Sequence, residues 1–323
     1  MGRVLLLATG DTIAYSTDPR SPGVASGARL LETLPPGTLT AEVVAEDVQA
    51  EPSWDMSPST MLLLACKARE AVLDRGFDGV VITHGLDTVE ETAFLTDLLA
   101  GRAAHHGAIV LTGATRPFDA LSPDGPRNLA SSLAAAADPA LCGVGAVVCV
   151  NDELHAARWV TMTDATGVCA MSSAPEPVLG HVHGGRAVIS TLPPGRPPTV
   201  AGDPETDVAL VKTYPGMDTA ALTALVDAGV RGVVIEGTGA GNIPVSLLTA
   251  IDELTGWGIP VVVTSRARTR RAPLDELGLG AVLAAKVGAV GAYGLSPAKA
   301  RVALMVALGT GGVDAVRDWF ARL

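Results

Sequence analysis

The sequence predicts a two-domain α/β protein, in which a larger N-terminal domain contains a mostly parallel, doubly wound sheet and a smaller C-terminal domain is also α/β. Short apolar runs rich in β-branched residues alternate with longer segments rich in Ala and Leu, which is the pattern of repeated strand, helix and strand. The chain has 323 residues, whereas single hydrophobic cores stop growing at about 250 to 300 residues. A Pro-rich stretch at residues 186–207 interrupts the alternation.

The N-terminal domain is predicted to span residues 1–185. Its apolar runs are expected to be parallel strands buried on both faces, at residues 4–7, 80–83, 108–111 and 146–150. Segments with helical spacing and acceptable start signals lie between them, at residues 59–75, 89–99 and 127–137. This repeated order of elements predicts a doubly wound sheet.

The linker is predicted at residues 186–207, because that stretch contains the run TLPPGRPP and few apolar anchors. The C-terminal domain is then expected over residues 208–323. Strands are predicted there at residues 208–212, 232–235 and 261–264, and helices at residues 219–228 and 245–257.

Composition and charge exclude several classes of protein. The net charge is −11, which argues against a nucleic-acid partner. No apolar run reaches the length of about 18 residues that spans a bilayer, and the N-terminus lacks the features of a secretion signal, so we expect a cytoplasmic protein without a membrane partner. The four cysteines show no CxxC spacing and are expected to be buried, reduced thiols. No complete dinucleotide or Walker motif is present, so we expect no cofactor, and histidine spacings without matching acidic or cysteine ligands predict no metal.

Polar segments follow the predicted strands of the first domain. They are ATGDTIA at residues 8–14, THGLDTVEE at 83–91, GATRP at 113–117, SPDGPRNL at 122–129 and NDE at 151–153. Ligands of open parallel sheets bind beyond the carboxyl ends of the strands. We therefore expect a site for a small molecule at this edge of the sheet.

These segments resemble, in the same order, the signatures ATGGTIA, HGTDTMEETA, GAMRP and SADGPxNL of the bacterial-type L-asparaginases. Further matching segments lie at residues 157–161, 214–217 and 295–301, so that the resemblance covers nearly the whole chain. It implies a large N-terminal and a small C-terminal α/β domain. It also implies a threonine amidohydrolase that acts on a small amino-acid-like substrate. The expected assembly is a homo-oligomer, a dimer or a homotetramer, in which a neighbouring subunit completes each site.

Matched residue by residue, the resemblance assigns roles to several side chains. Thr12 matches the nucleophile, and Asp87 matches the acid that also binds the substrate ammonium. Ser53 matches the serine that holds the substrate carboxylate, and Trp54 stands beside it where a glutamine is usual. Asn242 resembles the asparagine that a neighbouring subunit contributes.

The chain departs from the family pattern at the residues that activate water or the hydroxyl. Leu86 replaces the second threonine, and Met162 replaces the lysine. The two losses fit each other, because an ammonium beside leucine in a closed site would be desolvated without a partner. In addition, Asp11 replaces a glycine of the first signature, Ala281 falls where the partner subunit's glutamate is expected, and Tyr15 is the only tyrosine near the first signature.

Asp11 has two interpretations. A threonine hydroxyl is a weak nucleophile that needs a base, and we hypothesise that Asp11 or Asp87 supplies it, directly or through water. The alternative is that Asp11 only tolerates a left-handed backbone conformation where the family has glycine.

Three functions remain open at this point. The first is an amidohydrolase or acyl-transfer enzyme that uses Thr12 on a small amino-acid-derived amide. The second is an enzyme of specialised metabolism with non-hydrolytic chemistry, such as elimination or cyclisation, in which Leu86, Met162 and Trp54 line a less polar pocket. The third is a catalytically dead homologue that binds an amino acid.

Overall fold

The computed structural model describes residues 2–20, 23–197 and 202–323. The chain divides into two compact units, Met1–Pro194 and Gly195–Leu323. The sequence places the linker at residues 186–207, but its first part, Arg186–Ile189, is a strand of the first unit. Four residues of alternating exposure at a sheet edge carry too little apolar pattern to separate a strand from a loop. Residues 198–201 of the predicted linker lie outside the described residues.

The first unit contains a large sheet with helices on both faces. The strands of this unit are β1 (Arg3–Ala8), β2 (Tyr15–Ser16), β3 (Gly23–Val24), β4 (Glu42–Asp47), β5 (Gly79–Thr83), β6 (Ala108–Thr112), β7 (Ala146–Val150), β8 (Glu153–Ala156), β9 (Thr161–Met162), β10 (Met171–Ser172), β11 (Gly180–His183) and β12 (Arg186–Ile189). Strands β2 and β3 form one separate two-stranded sheet, and β9 and β10 form another. Its α-helices are α1 (Gly27–Leu31), α2 (Pro58–Leu73), α3 (Val89–Ala100), α4 (Ala103–His106) and α5 (Gly125–Ala136), and 3-10 turns form at Ser53–Asp55 and Pro139–Leu141.

The strand order of the main sheet is β12, β11, β8, β7, β6, β5, β1, β4. Pairing is parallel from β4 through β1, β5 and β6 to β7, and antiparallel from β7 through β8 and β11 to β12. The predicted mostly parallel, doubly wound sheet is therefore confirmed. The antiparallel extension was not expected, because β11 and β12 are short and alternate between buried and more exposed residues.

Successive residues of the central strands pack on opposite faces of the sheet. In β1, Leu5 and Leu7 belong to the hydrophobic cluster that includes residues of α2 and α3, whereas Val4 and Leu6 belong to the cluster that includes residues of α5. This period of two is the geometry of a strand. It explains why strands covered on both faces are continuously apolar in sequence.

The position of the site follows from the connection between β1 and its neighbours. The next strand of the main sheet in the sequence after β1 is β4, which pairs on one side of β1, and β5 pairs on the other side. The chain thus extends the sheet first on one side of β1 and then on the other, so the strand order reverses between β1 and β5. Such a reversal leaves a crevice between the segments that follow these two strands.

The second unit is a smaller α/β unit with a parallel sheet in the order β13, β14, β15, β16. Its strands are β13 (Val208–Lys212), β14 (Gly232–Gly237), β15 (Val261–Ser265) and β16 (Val290–Gly291). Its helices are α6 (Ala220–Asp227), α7 (Leu248–Gly256), α8 (Leu279–Lys286), α9 (Pro297–Leu308) and α10 (Val313–Phe320), with 3-10 turns at Val245–Leu247 and Leu274–Glu276. The helix expected at residues 245–257 is thus a 3-10 turn that continues into α7.

The structure bears on two expectations drawn from composition, which concern membrane-spanning helices and the burial of the cysteines. In the part of the chain that the structure describes, no helix is both long and apolar enough to cross a bilayer. The prediction of buried cysteines is wrong for Cys66, Cys142 and Cys169, which are exposed, and correct for Cys149. Apolar neighbours in sequence do not bury a cysteine when it lies on the outer side of a helix or in a loop.

Candidate active site

The segment after β1 makes a tight turn that presents Thr12. Gly10 and Asp11 both have positive φ angles, 95° and 67°, and only Asp and Asn among polar residues adopt this region with modest cost. The carbonyl oxygen of Asp11 then accepts hydrogen bonds from the N–H groups of Ala14 and Tyr15, both at 2.8 Å. Thr12 therefore sits inside a fixed turn, half-buried, beyond the carboxyl end of the strand.

Asp11 and Thr12 are directly hydrogen-bonded. Oδ1 of Asp11 accepts from the backbone N–H of Thr12 at 2.6 Å and from its hydroxyl Oγ1 at 3.2 Å. A carboxylate oxygen thus lies within reach of the proton that the threonine must lose to become a nucleophile. This geometry is what a nucleophile and its base require.

Ser53 connects Asp11 to Asp87. The backbone N–H of Ser53 donates to Oδ2 of Asp11 at 2.7 Å, and its hydroxyl donates to Oδ2 of Asp87 at 3.0 Å. Ser53 is fully buried at the start of its 3-10 turn, and Thr88 Oγ1 donates to its carbonyl oxygen at 2.7 Å. The structure thus brings Thr12, Asp11, Ser53 and Asp87 together in one hydrogen-bonded network.

The segment after β5 supports this network. Nδ1 of His84 lies 2.7 Å from the carbonyl oxygen of Gly85, and its Nε2 lies 2.8 Å from Oγ1 of Thr92. Burial lowers the pKa of the His84 imidazole, which keeps it neutral. Both ring nitrogens are occupied, so His84 serves as a scaffold.

Gly85 is required by the close approach of two site residues. A Cβ atom at this position would lie 2.1 Å from Oγ of Ser53 and 2.2 Å from Oδ2 of Asp11. No side chain fits there without displacing one of them. The sequence showed the glycine, but only the structure shows which groups occupy the space beside it.

The ends of β1 and β5 are joined by a threonine pair that the sequence did not single out. Thr9 N–H donates to Oγ1 of Thr83 at 3.1 Å, and Thr9 Oγ1 donates to the carbonyl oxygen of Thr83 at 2.6 Å. These bonds hold the two sides of the crevice at a fixed spacing. The available signal in the sequence was a threonine at or just beyond the end of each of two predicted strands.

Leu86 and Met162 lie in apolar surroundings. Leu86 is buried in the cluster that contains residues of α2 and α3, and Met162 packs against the same cluster. Met162 pairs with Met171 across β9 and β10. At both positions a polar group of the family pattern is thus replaced by hydrocarbon or thioether in a hydrophobic cluster.

Trp54 and Asn242 are placed differently from the four residues of the hydrogen-bonded network. Trp54 follows Ser53 directly but is exposed, and Asp87 is also exposed. Asn242 belongs to the second unit, where its Oδ1 accepts a hydrogen bond from the N–H of Gly280 at 2.8 Å. The role of Asn242 toward a neighbouring subunit stays a prediction.

Asp119 fixes the segment that follows the Thr12 turn. It accepts hydrogen bonds from the hydroxyls of Ser16 and Thr17, both at 3.0 Å, and from the N–H of Asp18. A hydrogen bond from the backbone N–H of Thr17 has the largest effect on this carboxyl group. Together with the bonds just named, it lowers the pKa of Asp119 to about 2. Asp119 therefore remains a carboxylate acceptor throughout the neutral range. No pattern in the sequence marks this residue.

No group of three or more metal-ligating side chains suited to a metal ion is found among residues 2–20, 23–197 and 202–323. The network around Thr12 instead contains two carboxylates and two hydroxyls. Carboxylate and hydroxyl groups of this kind can form hydrogen bonds with an organic ligand.

Comparison with known proteins identifies the family of the chain. A family model described as "Asparaginase, N-terminal" matches residues 3–194, and one described as "Glutaminase/Asparaginase C-terminal domain" matches residues 207–320. The chain belongs to the asparaginase family. The chain is therefore an amidohydrolase of that family, with a larger and a smaller α/β domain.

Individual relatives of this asparaginase-family chain cover nearly its whole length. A probable periplasmic L-asparaginase of Haemophilus influenzae and L-asparaginase 2 of Escherichia coli are each 34% identical over 94% of the chain and 88% of the relative. A crystal structure of a probable cytoplasmic L-asparaginase from Campylobacter jejuni superposes with a TM-score of 0.87 at 30% identity, and covers all of both chains. Because these names include both a periplasmic and a cytoplasmic protein, the cytoplasmic location of this chain stays a prediction.

Proposed function

We propose that this amidohydrolase cleaves a small amino-acid-derived amide, with Thr12 as the nucleophile and Asp11 as its base. The observation that carries the proposal is the hydrogen bond from Thr12 Oγ1 to Oδ1 of Asp11 at 3.2 Å. The family pattern relies on a second threonine and a lysine, whose positions hold Leu86 and Met162. A carboxylate beside the nucleophile supplies the proton acceptor that these side chains cannot provide.

The reaction proceeds in two balanced steps. Thr12 Oγ1 attacks the amide carbon while its proton passes to Asp11. The carbon–nitrogen bond then breaks, and the proton on Asp11 passes to the departing amine, which leaves an ester on Thr12. Water attacks the ester with Asp11 again accepting a proton, the acid product is released, and Thr12 regains its hydrogen. General base catalysis of this kind contributes about 10²- to 10⁴-fold.

The Ser53–Asp87 pair binds the amino-acid end of the substrate in this proposal. Asp87 is exposed toward solvent and carries a carboxylate that suits an ammonium group. Ser53 is buried and can transfer its hydroxyl hydrogen bond from Asp87 to a substrate carboxylate. A homo-oligomer, with Asn242 contributed by a neighbouring subunit, completes the proposed site.

Release of ammonia from L-asparagine, D-asparagine and L-glutamine tests the proposal. Wild type should release ammonia from at least one of them, and Thr12→Ala should lower that rate at least 100-fold. Thr249→Ala, an exposed threonine of α7, is the matched control and should keep the wild-type rate.

Two results would contradict the proposal. The first is a Thr12→Ala variant as active as wild type. The second is no release from any amide by wild type while one of these amides still raises its melting temperature. That second result would favour the non-hydrolytic or the catalytically dead alternative.

A further inference from the structure

Asp119 joins two segments of the first unit that lie far apart in the sequence. Its Oδ2 accepts hydrogen bonds from the hydroxyl of Ser16 at 3.0 Å and from the backbone N–H of Asp18, and its Oδ1 accepts from the hydroxyl of Thr17 at 3.0 Å. Hydrogen bonds to an ionised group are stronger than those between neutral groups. Three successive residues are therefore held on one carboxylate.

The three residues held by Asp119 follow directly on the turn that presents Thr12. The N–H of Tyr15 donates to the carbonyl oxygen of Asp11 at 2.8 Å, which closes that turn. The carbonyl oxygen of Tyr15 in turn accepts from the N–H of Phe118 at 3.0 Å. The chain from the end of the turn onward is thus bonded, residue after residue, to one loop.

The loop that carries Asp119 is itself anchored at the start of α5. The carboxylate of Asp124 accepts hydrogen bonds from the backbone N–H groups of Thr115 at 3.0 Å and Arg116 at 2.9 Å, which ties the two ends of the loop together. The guanidinium of Arg116 also donates to the carbonyl oxygen of Ser122 at 2.8 Å. The loop therefore gives the preceding bonds a fixed support.

The turn that presents Thr12 is consequently supported on two sides. The N–H of Ser53 holds the Asp11 carboxylate at 2.7 Å. From another segment, the start of α5 packs against the turn, since a Cβ atom on Gly125 would lie 2.9 Å from Cγ1 of Ile13. The loop beside α5 then holds the residues that leave the turn.

We propose that Asp119 is a positioning residue for the Thr12 reaction, because its bonds to residues 16–18 keep the Thr12 hydroxyl in reach of Asp11 while the amide is bound. This inference rests on the proposed function, which takes Thr12 as the nucleophile and Asp11 as its base. Oγ1 of Thr12 and Oδ1 of Asp11 are 3.2 Å apart, and a misplacement of about 1 Å can cost about 10²-fold in rate. Asp119 acts through residues 16–18 and needs no contact with the amide.

The first test measures kcat and KM of Asp119 variants on the amide that wild type cleaves fastest. Asp119→Ala removes both acceptor oxygens and should lower kcat about tenfold or more, with KM within about threefold of wild type. Asp119→Asn keeps one acceptor oxygen and should recover part of that loss.

A second set of variants tests whether Asp119 acts through its partners. Ser16→Ala combined with Thr17→Val removes both hydroxyl donors and leaves the carboxylate in place, and kcat should fall several-fold. Adding Asp119→Ala to this pair should lower kcat by a smaller factor than it does in wild type, because members of one hydrogen-bonded network are not additive.

The matched control is Asp138→Ala. Asp138 also joins two segments, since it accepts hydrogen bonds from the N–H groups of Ala140 and Ala187, both at 3.0 Å. It lies at the other end of the sheet, because the carbonyl oxygen of its neighbour Ala137 is 4.0 Å from a Cβ on Gly2, directly before β1. This variant should lower the melting temperature and leave kcat unchanged.

The outcomes separate this inference from the proposed function. Thr12-dependent hydrolysis with a kcat of Asp119→Ala within twofold of wild type would overturn the inference alone. So would a normal kcat for the Ser16 and Thr17 pair, or an equal loss of kcat in Asp138→Ala. If Asp119→Ala does not fold, normal kcat values for Asp119→Asn and for the Ser16 and Thr17 pair overturn the inference. A Thr12→Ala variant as active as wild type would overturn the proposed function itself.

Discussion

Oδ1 of Asp11 accepts hydrogen bonds from both the backbone N–H and the hydroxyl of Thr12. The first bond stabilises the turn in which Asp11 has its positive φ angle. The second places a carboxylate next to the proposed nucleophile. In the proposed function, a single residue that replaces a glycine thus combines a backbone role with the role of a base.

Gly85→Ala should abolish activity, because the added Cβ would lie about 2 Å from Oγ of Ser53 and from Oδ2 of Asp11. We expect kcat/KM to fall at least 100-fold and the melting temperature to fall by several degrees. Gly256→Ala is the control, since nothing lies within 4 Å of a Cβ there. Steady-state rates and thermal unfolding check both variants. A Gly85→Ala enzyme with normal activity would show that the contact between Ser53 and Asp11 is dispensable.

Met162→Lys should destabilise the protein, because it places an ammonium against an apolar cluster that includes Leu86. Adding Leu86→Thr should recover part of the loss, since the hydroxyl offers the ammonium a hydrogen-bond partner. We expect a coupling of about 0.5 to 3 kcal/mol between the two substitutions. Urea unfolding of wild type, both single variants and the double variant measures it. Strictly additive effects would mean that the two positions do not share a pocket.

His155 should make stability decrease toward acid pH. Its side chain is buried and burial, with the nearby His181, lowers the pKa from 6.5 to about 4. Because the folded state favours the neutral imidazole, the contribution is present above pH 6.5 and is lost as the pH falls from 6.5 toward 4. A pKa shift of this size corresponds to a full loss of about 3 kcal/mol.

Urea unfolding of wild type and His155→Gln at several pH values between 7 and 4.5 checks this prediction. The variant should lose less stability over that interval than wild type does. His106→Gln is the matched control, since His106 is an exposed histidine at the end of α4, and it should follow wild type closely. An equal pH dependence for wild type and His155→Gln would contradict the assignment.

The sequence predicted the central strands and the residues of the network, for identifiable physical reasons. Strands such as β5 and β6 are buried on both faces, so their sequences are continuously apolar. The short antiparallel strands were missed because two to four residues carry no clear period. Thr12, Asp11, Ser53 and Asp87 were found because they lie in recognisable segments.

Other features depend on distances that no spacing in the sequence encodes. The space that Gly85 leaves for Ser53 and Asp11 arises from three separate segments. Asp119 contacts the segment at residues 16–18 across more than a hundred positions of sequence. The exposure of Trp54 follows only from the fold.

The most direct test of the account is the hydrolysis rate of Asp11→Asn and Asp11→Gly on the amide that wild type cleaves fastest. Both substitutions allow the left-handed backbone conformation, but neither provides a carboxylate. If Asp11 is the base, kcat should fall at least 100-fold in both variants, and by as much in Asp11→Asn, which keeps a hydrogen-bond acceptor for the turn, as in Asp11→Gly. Rates within twofold of wild type in both would contradict the central claim and would leave Asp11 with a conformational role alone.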